Sequence, residues 1–270
     1  MPDPTPCQRE APPRRAVLSG LHRQPGYCLT CGVRAHSVCS AIDDQDIARL
    51  AEMAVETTVL PGRTFIEEGA PATDFFNVTA GNVKLFKALP DGRRQITGFA
   101  GTGHFLGLAV SDRYAFGAEA MDTVRLCRFS RTRMRQMMDD FPRLERRLLA
   151  EASNELVAAQ SQMLLLGRKT ARERVASFLL DRVGDAPCPD QDRSRGQSQG
   201  QGQGQGLNQG QDVPLPMTRA DIADYLGLTI ETVSRTLSWM RTERMIAIGK
   251  GHAVRVTAMD RLEILAGGEA

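Results

Sequence analysis

The segment from Met217 to Val256, MTRADIADYLGLTIETVSRTLSWMRTERMIAIGKGHAVRV, leaves the chain little conformational choice. Thr218 followed three residues later by Asp221 has the spacing of a capping box, in which each side chain satisfies a backbone amide left open by the first helical turn. Ile222 and Leu226 give the helix that follows one apolar face. Gly227 suits a tight turn because it reaches positive φ without strain, and Thr229 caps a second helix. There, Val233, Leu237 and Met240 recur at steps of four and three and must face inward. Glu231, Ser234 and Arg235 therefore share the opposite face, near the N-terminal end.

That face has the chemistry of base reading. Arg donates two hydrogen bonds to guanine O6 and N7, Glu accepts from cytosine N4, and Ser bonds a base or a phosphate. The alternating run around Gly249, Lys250 and Gly251 predicts a hairpin wing with Lys250 and His252 at its tip. The expectation is a winged helix-turn-helix that binds double-stranded DNA, with Glu231, Ser234, Arg235, Thr218, Thr229 and Lys250 as candidate DNA-binding residues. From Glu231 to Arg255 five Lys/Arg stand against two Asp/Glu, so phosphate attraction is expected from the reading helix and wing rather than from a broadly basic domain. A helical hairpin with a merely solvated outer face is the plainer alternative; the placed glycine and the wing count against it.

Upstream, from Val55 to Phe129, short apolar or alternating runs are punctuated by Pro61-Gly62, Glu68-Gly69, Ala80-Gly81, Asp91-Gly92 and Gly101. This predicts a compact antiparallel β domain, a sandwich or roll. Before it, Ile42, Ile47, Leu50 and Met53 predict a short amphipathic helix with Asp43 and Asp44 near its start. Helical pattern resumes at about Pro142, where Leu149, Ala152, Leu156, Ala159, Met163 and Leu166 step by three and four. Such a stripe is either core-facing or a dimerisation seam; polar Asn154, Gln160 and Gln162 beside it favour the seam. Arg168 to Val183 predicts a further helix with Val175, Phe178 and Leu179 inward. The Gln/Gly alternation after it has nothing apolar to bury, so residues 184–212 are expected to form a disordered loop.

The expected fold class is α+β: an N-terminal antiparallel β-roll, a long dimerisation helix and a C-terminal winged helix-turn-helix. The expected boundaries are 1–40 for a flexible leader and cysteine segment, 41–140 for the β domain, 141–167 for the dimerisation helix and 168–270 for the DNA-binding domain.

The N-terminus lacks the apolar run of a secretory signal, and no stretch approaches the roughly 18–20 apolar residues of a membrane span. A soluble cytoplasmic protein with no membrane partner is expected. In that reducing compartment, clustered cysteines serve as metal or redox ligands rather than as a disulfide framework. CLTCGVRAHSVC, residues 28–39, holds three of the six cysteines. Cys28 and Cys31 have a spacing that lets two thiolates from one turn reach one metal, and Cys39 follows. His36 completes a local zinc-knuckle set. Among the other cysteines, Cys7 and Cys188 sit in segments with no rigid platform, whereas Cys127 lies in the strand-like run DTVRLCRFS. Alone, Cys127 reads as a small buried hydrophobe. The residues by themselves leave both ligand sets open. No Ser-His-Asp order, acid pair or phosphate loop suggests an enzyme.

The stretches GRRQITGF, HFLGL, MLLLGRKTARERVASFL and YLGLTIETVSRTL resemble the CRP/FNR superfamily of transcription regulators, and ETVSR resembles the FNR-type reading set. The likeness runs from about Cys28 to Leu265, broken only by the Gln/Gly tract. It implies a homodimer whose Glu231, Ser234 and Arg235 read a palindrome of TTGAT half-sites about one helical turn apart. It also implies a 4Fe-4S cluster on three N-terminal cysteines and one from the β domain, here Cys28, Cys31, Cys39 and Cys127, with zinc as the alternative cofactor. On this likeness the chain is an oxygen-responsive activator of anaerobic or microaerobic genes, and exposed β-domain loops contact RNA polymerase. A differently triggered regulator with redox thiols, or constitutive DNA binding, is the other alternative.

Under the same likeness His36 becomes a bystander that, with His22, Arg23 and Arg34, offsets cluster charge. Ala159 brings neither charge nor bulk against pairing, so the dimer is expected to persist partly without the cluster. Members that bind a cyclic nucleotide grip its phosphate with a Gly-Glu-Leu turn and an Arg-Ser-Ala run. Here GHFLGLAVSDRYAFGAEAM puts His104 in place of the Glu and FGAEA in place of Arg-Ser-Ala, so no cyclic nucleotide is expected.

Overall fold

The computed structural model describes residues 20–22, 25–108, 112–184, 211–249 and 253–267. The chain divides into two compact units, Met1–Glu155 and Leu156–Ala270.

In the first unit β1 (Gly20–His22) and α1 (Pro25–Leu29) precede short 3-10 helices at Arg34–His36 and Val38–Ala41, and then α2 (Ile47–Met53). The strands that follow are β2 (Ala54–Val59), β3 (Thr64–Ile66), β4 (Asp74–Ala80), β5 (Val83–Ala88), β6 (Arg94–Ala100), β7 (Phe105–Leu106), β8 (Gly117–Ala120) and β9 (Val124–Ser130). They form a five-stranded sheet, ordered β1-β2-β9-β4-β7, and a four-stranded sheet, ordered β3-β8-β5-β6. Neighbouring strands pair antiparallel. At the turn from β4 to β5, Gly81 has φ 87°, and a Cβ there would stand 2.7 Å from the Thr123 carbonyl oxygen. Only glycine fits both the backbone and the space.

The period of two along each strand builds two separate cores. Val124 and Leu126 of β9 point between the sheets with Phe65, Phe76, Val78, Val83 and Ala118. Cys127 and Phe129 point the other way, with Phe75 and Phe105. That outer face is covered by Ile47, Leu50 and Met53 of α2, by Met134 and Met137 of α3 (Arg131–Asp140), and by Leu144 and Leu148 of α4 (Pro142–Arg168). Val38 and Ile42 of the cysteine segment complete it. Burying each such side chain favours the fold by about 1.5–3 kcal/mol before entropy is counted.

The second unit takes the later part of α4, then α5 (Ala171–Gly184), β10 (Gln211–Pro214), α6 (Arg219–Leu226), α7 (Ile230–Thr242), β11 (Ile246–Ile248), β12 (Ala253–Val256) and α8 (Met259–Leu265). The three strands form one antiparallel sheet ordered β10-β12-β11. Val175, Ala176, Phe178 and Leu179 of α5 are buried.

Two local expectations are corrected, and one helix is unforeseen. The helix expected from Ile42 begins at Ile47, because the Asp46 amide donates to the Asp43 carbonyl in a turn, and Ile42 instead plugs the core at the end of the second 3-10 helix. α3 carries no legible stripe in the sequence, since its inward set Arg131, Met134 and Met137 includes an arginine. The buried Arg131 is held by the Ala72 carbonyl and lies over the Phe75 ring. Finally, of residues 184–212, expected as a disordered loop, Gly184 closes α5 and residues 211 and 212 open strand β10; residues 185–210 lie outside the described residues.

Candidate nucleic-acid interface and cysteine site

The start of α6 is a closed capping box. Thr218 Oγ1 accepts from the Asp221 amide at 3.1 Å, and Asp221 Oδ2 accepts from the Thr218 amide at 2.9 Å. Gly227 ends the helix at φ 60°. Thr229 Oγ1 accepts from the Thr232 amide at 3.2 Å and so fixes where α7 begins. Both threonines of the expected DNA-binding set thus serve as caps.

Along α7, Val233, Thr236, Leu237 and Met240 are buried, while Glu231, Ser234 and Arg235 are exposed on one face. The Glu231 carboxyl is held below the usual carboxylate range, first by a hydrogen bond from its own backbone amide, then by Thr229, with the charge of Arg235 adding to both. A carboxylate and a guanidinium therefore share the exposed face of α7 near its N-terminal end.

The wing strands are present as β11 and β12, but Lys250 and His252 at their tip lie outside the described residues. One cation counted toward phosphate binding is already matched. Arg255 donates to both carboxylate oxygens of Asp212 on β10, at 2.7 and 2.6 Å. The pairing lowers the Asp212 pKa and raises that of Arg255.

In the first unit Arg34 closes the cysteine segment on itself, donating to the Ile42 carbonyl at 2.7 Å and to Asp44 at 2.5 Å. Ser37 is wholly buried and its hydroxyl accepts from the Cys39 amide at 3.3 Å. Burial pushes the Cys39 thiol up to about 11; the Ser37 hydrogen bond and Arg34 oppose this, while Cys28 and Cys31 add to it. Cys28 and Cys39 also pack against the core cluster that contains Cys127, itself buried. His36 is exposed. Among the described residues, no three His, Cys, Asp or Glu side chains converge closely enough to share a single metal ion. Cys7 and Cys188 lie outside the described residues.

Comparison with known proteins gives these two regions a common frame. Residues 173–265 match the Crp-like helix-turn-helix domain, and residues 56–141 match the cyclic nucleotide-binding domain. The chain is 38% identical over 240 residues to the nitrogen fixation regulation protein FixK of Bradyrhizobium diazoefficiens, spanning 89% of this chain and 94% of that protein. It belongs to the CRP/FNR family of transcription regulators. This CRP/FNR regulator is also 34% identical to the transcriptional activator protein FnrL of Cereibacter sphaeroides, spanning 90% of this chain and 91% of that one. The solved structure of FixK2 from Bradyrhizobium japonicum superposes with a TM-score of 0.69 at 32% identity, covering 80% of this chain and 99% of that chain. The expected fold class is that of the family, and the family comprises DNA-binding regulators rather than enzymes.

In this CRP/FNR regulator α4 carries an open apolar stripe. Leu149, Leu156 and Met163, spaced by sevens, are 67%, 60% and 71% exposed. Ala159 is exposed with them, and Ala152 is half-buried. Leu166 departs from the stripe: its Cδ2 stands 3.2 Å from the Cβ position of Gly227. Gln162, expected as a polar flank of the seam, donates to the Tyr225 carbonyl at 2.7 Å. Only the fold brings residues so far apart in sequence together, so no sequence signal marks that role.

Glu119 of β8, almost fully buried, pairs with Lys84 at 3.0 Å and with Arg94 at 3.0 Å. A Cβ at Gly117 would stand 2.5 Å from the Phe86 ring. His104, exposed, turns its Nδ1 to the Gly101 backbone at 3.1–3.2 Å. No described helix is long and apolar enough to cross a membrane.

Proposed function

We propose that this chain is a cytoplasmic, homodimeric, oxygen-responsive activator that reads a palindrome of TTGAT half-sites and regulates anaerobic or microaerobic genes with RNA polymerase as its partner. The observation that carries the sensing part is the packing of Cys28 and Cys39, from the loop that also holds Cys31, against the core cluster that contains Cys127. The donor set is all thiol, and the one imidazole in the segment is solvated. A set of four cysteines suits a 4Fe-4S group, which is held by Cys thiolates.

When bound, a 4Fe-4S cluster on Cys28, Cys31, Cys39 and Cys127 supplies an oxygen-labile link between the cysteine segment and β9. The residues around it supply the rest. Val38 and Ile42 seat the segment on the same core that Leu144 and Leu148 of α4 complete. Leu149, Leu156 and Met163 follow on the same helix. Two copies joined along this stripe would present two α7 helices to successive major grooves, with Glu231, Ser234 and Arg235 at the base edges. No cyclic nucleotide is expected, since His104 and the FGAEA run stand in place of the residues that grip its phosphate, and the carboxylate of that run, Glu119, pairs with Lys84 and Arg94.

The test is anaerobic purification with iron, sulfide and zinc analysis, followed by brief exposure to air. Stoichiometric iron and sulfide with an air-sensitive visible absorbance are expected, and Cys127→Ala is expected to abolish both. Zinc without iron, an absorbance indifferent to air, or a Cys127→Ala protein that loads normally would overturn the reading.

A further inference from the structure

Asn77 of β4 is 2% exposed, and its amide oxygen Oδ1 is buried with no hydrogen-bond partner among the described residues. Such a group in a core is costly unless something arrives to bond it. Its place in the sheet says what that is. Asn77 is the direct cross-strand partner of Cys127 on one side and of Phe105 on the other. Partners in register project to the same face, and on this face Phe75, Phe105, Cys127 and Phe129 form the core beneath the cysteine segment. The segment reaches over this end of the sheet: the His36 carbonyl oxygen stands 3.4 Å from the Cβ position of Gly103, and Gly103 donates its amide to the Val78 carbonyl. Asn77 is therefore a polar side chain placed between an aromatic ring and a thiol, under the loop that holds the other three thiols.

We infer that Asn77 is a positioning residue of the cysteine site, its side-chain amide donating a hydrogen bond to sulfur at Cys127 when that cysteine is a ligand. This rests on the iron-sulfur reading above. The two ends of an amide exchange by a flip of the side chain, so the end now without a partner presents an N–H as readily as an oxygen. A thiol asks little of such a donor, whereas a metal-bound thiolate is a strong acceptor. Donation to it withdraws negative charge, raises the reduction potential and makes oxidation harder.

The test is Asn77→Leu, of nearly the same shape without the amide, in the full chain, with Asn77→Ser as the variant that keeps a donor. The Asn77→Leu apoprotein is expected to melt no lower than wild type, because an unbonded amide has been replaced by an apolar group. Reconstituted anaerobically, it is expected to bind wild-type iron and sulfide, to show a lower reduction potential and to lose its visible absorbance in air roughly tenfold faster. Asn77→Ser is expected to fall between the two. If wild type loads and Asn77→Leu matches its potential and decay, the Asn77 inference fails alone. If wild type takes up no iron and sulfide, the reading of the site fails and this inference with it. Should Asn77→Leu not fold, Asn77→Ala, which also lacks the donor, carries the comparison, and wild-type potential and decay in it count against the inference.

Discussion

Arg174 on α5 donates to the carbonyl of Leu226, at 2.8 Å, in the last turn of α6 before the helix-turn-helix glycine. The same guanidinium donates to the carbonyls of Leu166 and Lys169, at 2.8 and 2.9 Å, where α4 ends. Three orphan carbonyls at two helix ends are thus satisfied by one fork of donors. Arg174→Ala is expected to cost about 2–3 kcal/mol of stability and to weaken DNA binding more than dimerisation. Arg174→Lys should recover only part, since an ammonium cannot span the three acceptors. Denaturant unfolding alongside DNA titration checks this; equal behaviour of Lys and Arg would remove the fork argument.

The caps give a smaller, cleaner effect. Thr218→Ala opens the reciprocal pair with Asp221 and is expected to cost about 1 kcal/mol, read as a lower thermal midpoint with base preference unchanged. A change in preferred sequence would show that Thr218 also contacts DNA.

At the reading face, Arg235→Ala is expected to lose about 1–3 kcal/mol of specific DNA affinity, with discrimination relaxed at one base pair of each half-site. Arg255→Ala should act differently. Because Arg255 is held by Asp212, its loss is expected to destabilise the three-stranded sheet and to leave the salt dependence of DNA binding nearly unchanged. Binding isotherms at several salt concentrations separate the two, and a shallower salt slope for Arg255→Ala would refute the assignment.

On α4, Leu156→Glu is expected to leave the monomer folded, since Leu156 is 60% exposed, and to abolish pairing by burying charge in the seam. Sedimentation at micromolar concentration reads the result. The same measurement on cluster-free wild type is expected to show residual dimer, because Ala159 offers nothing that opposes contact. A wholly monomeric apoprotein would count against that.

Much of the reading unit was legible from short-range pattern. The capping box, the turn glycine and the inward face of α7 depend on residues within four of each other, so composition and spacing suffice. α3 was not legible, because an arginine occupies an inward position and its partner, the Ala72 carbonyl, is remote in sequence. β10 was hidden next to a Gln/Gly tract, and only pairing with β12 makes it a strand. Its Asp212 then cancels Arg255, a charge that a local count treated as free.

The cysteine site divides along the same line. The sequence by itself determined three cysteines within one short loop and a fourth, Cys127, in a strand-like run, and left the ligand set open. It also determined a helix with a stripe too apolar to leave in water. Only the tertiary structure decided that Cys28 and Cys39 pack on the core around Cys127, that His36 stays in solvent, and that Asn77 is buried beside Cys127. Spacing along a strand fixes which face a side chain takes; register between strands fixes its neighbour, and register is set by the packing of the whole sheet.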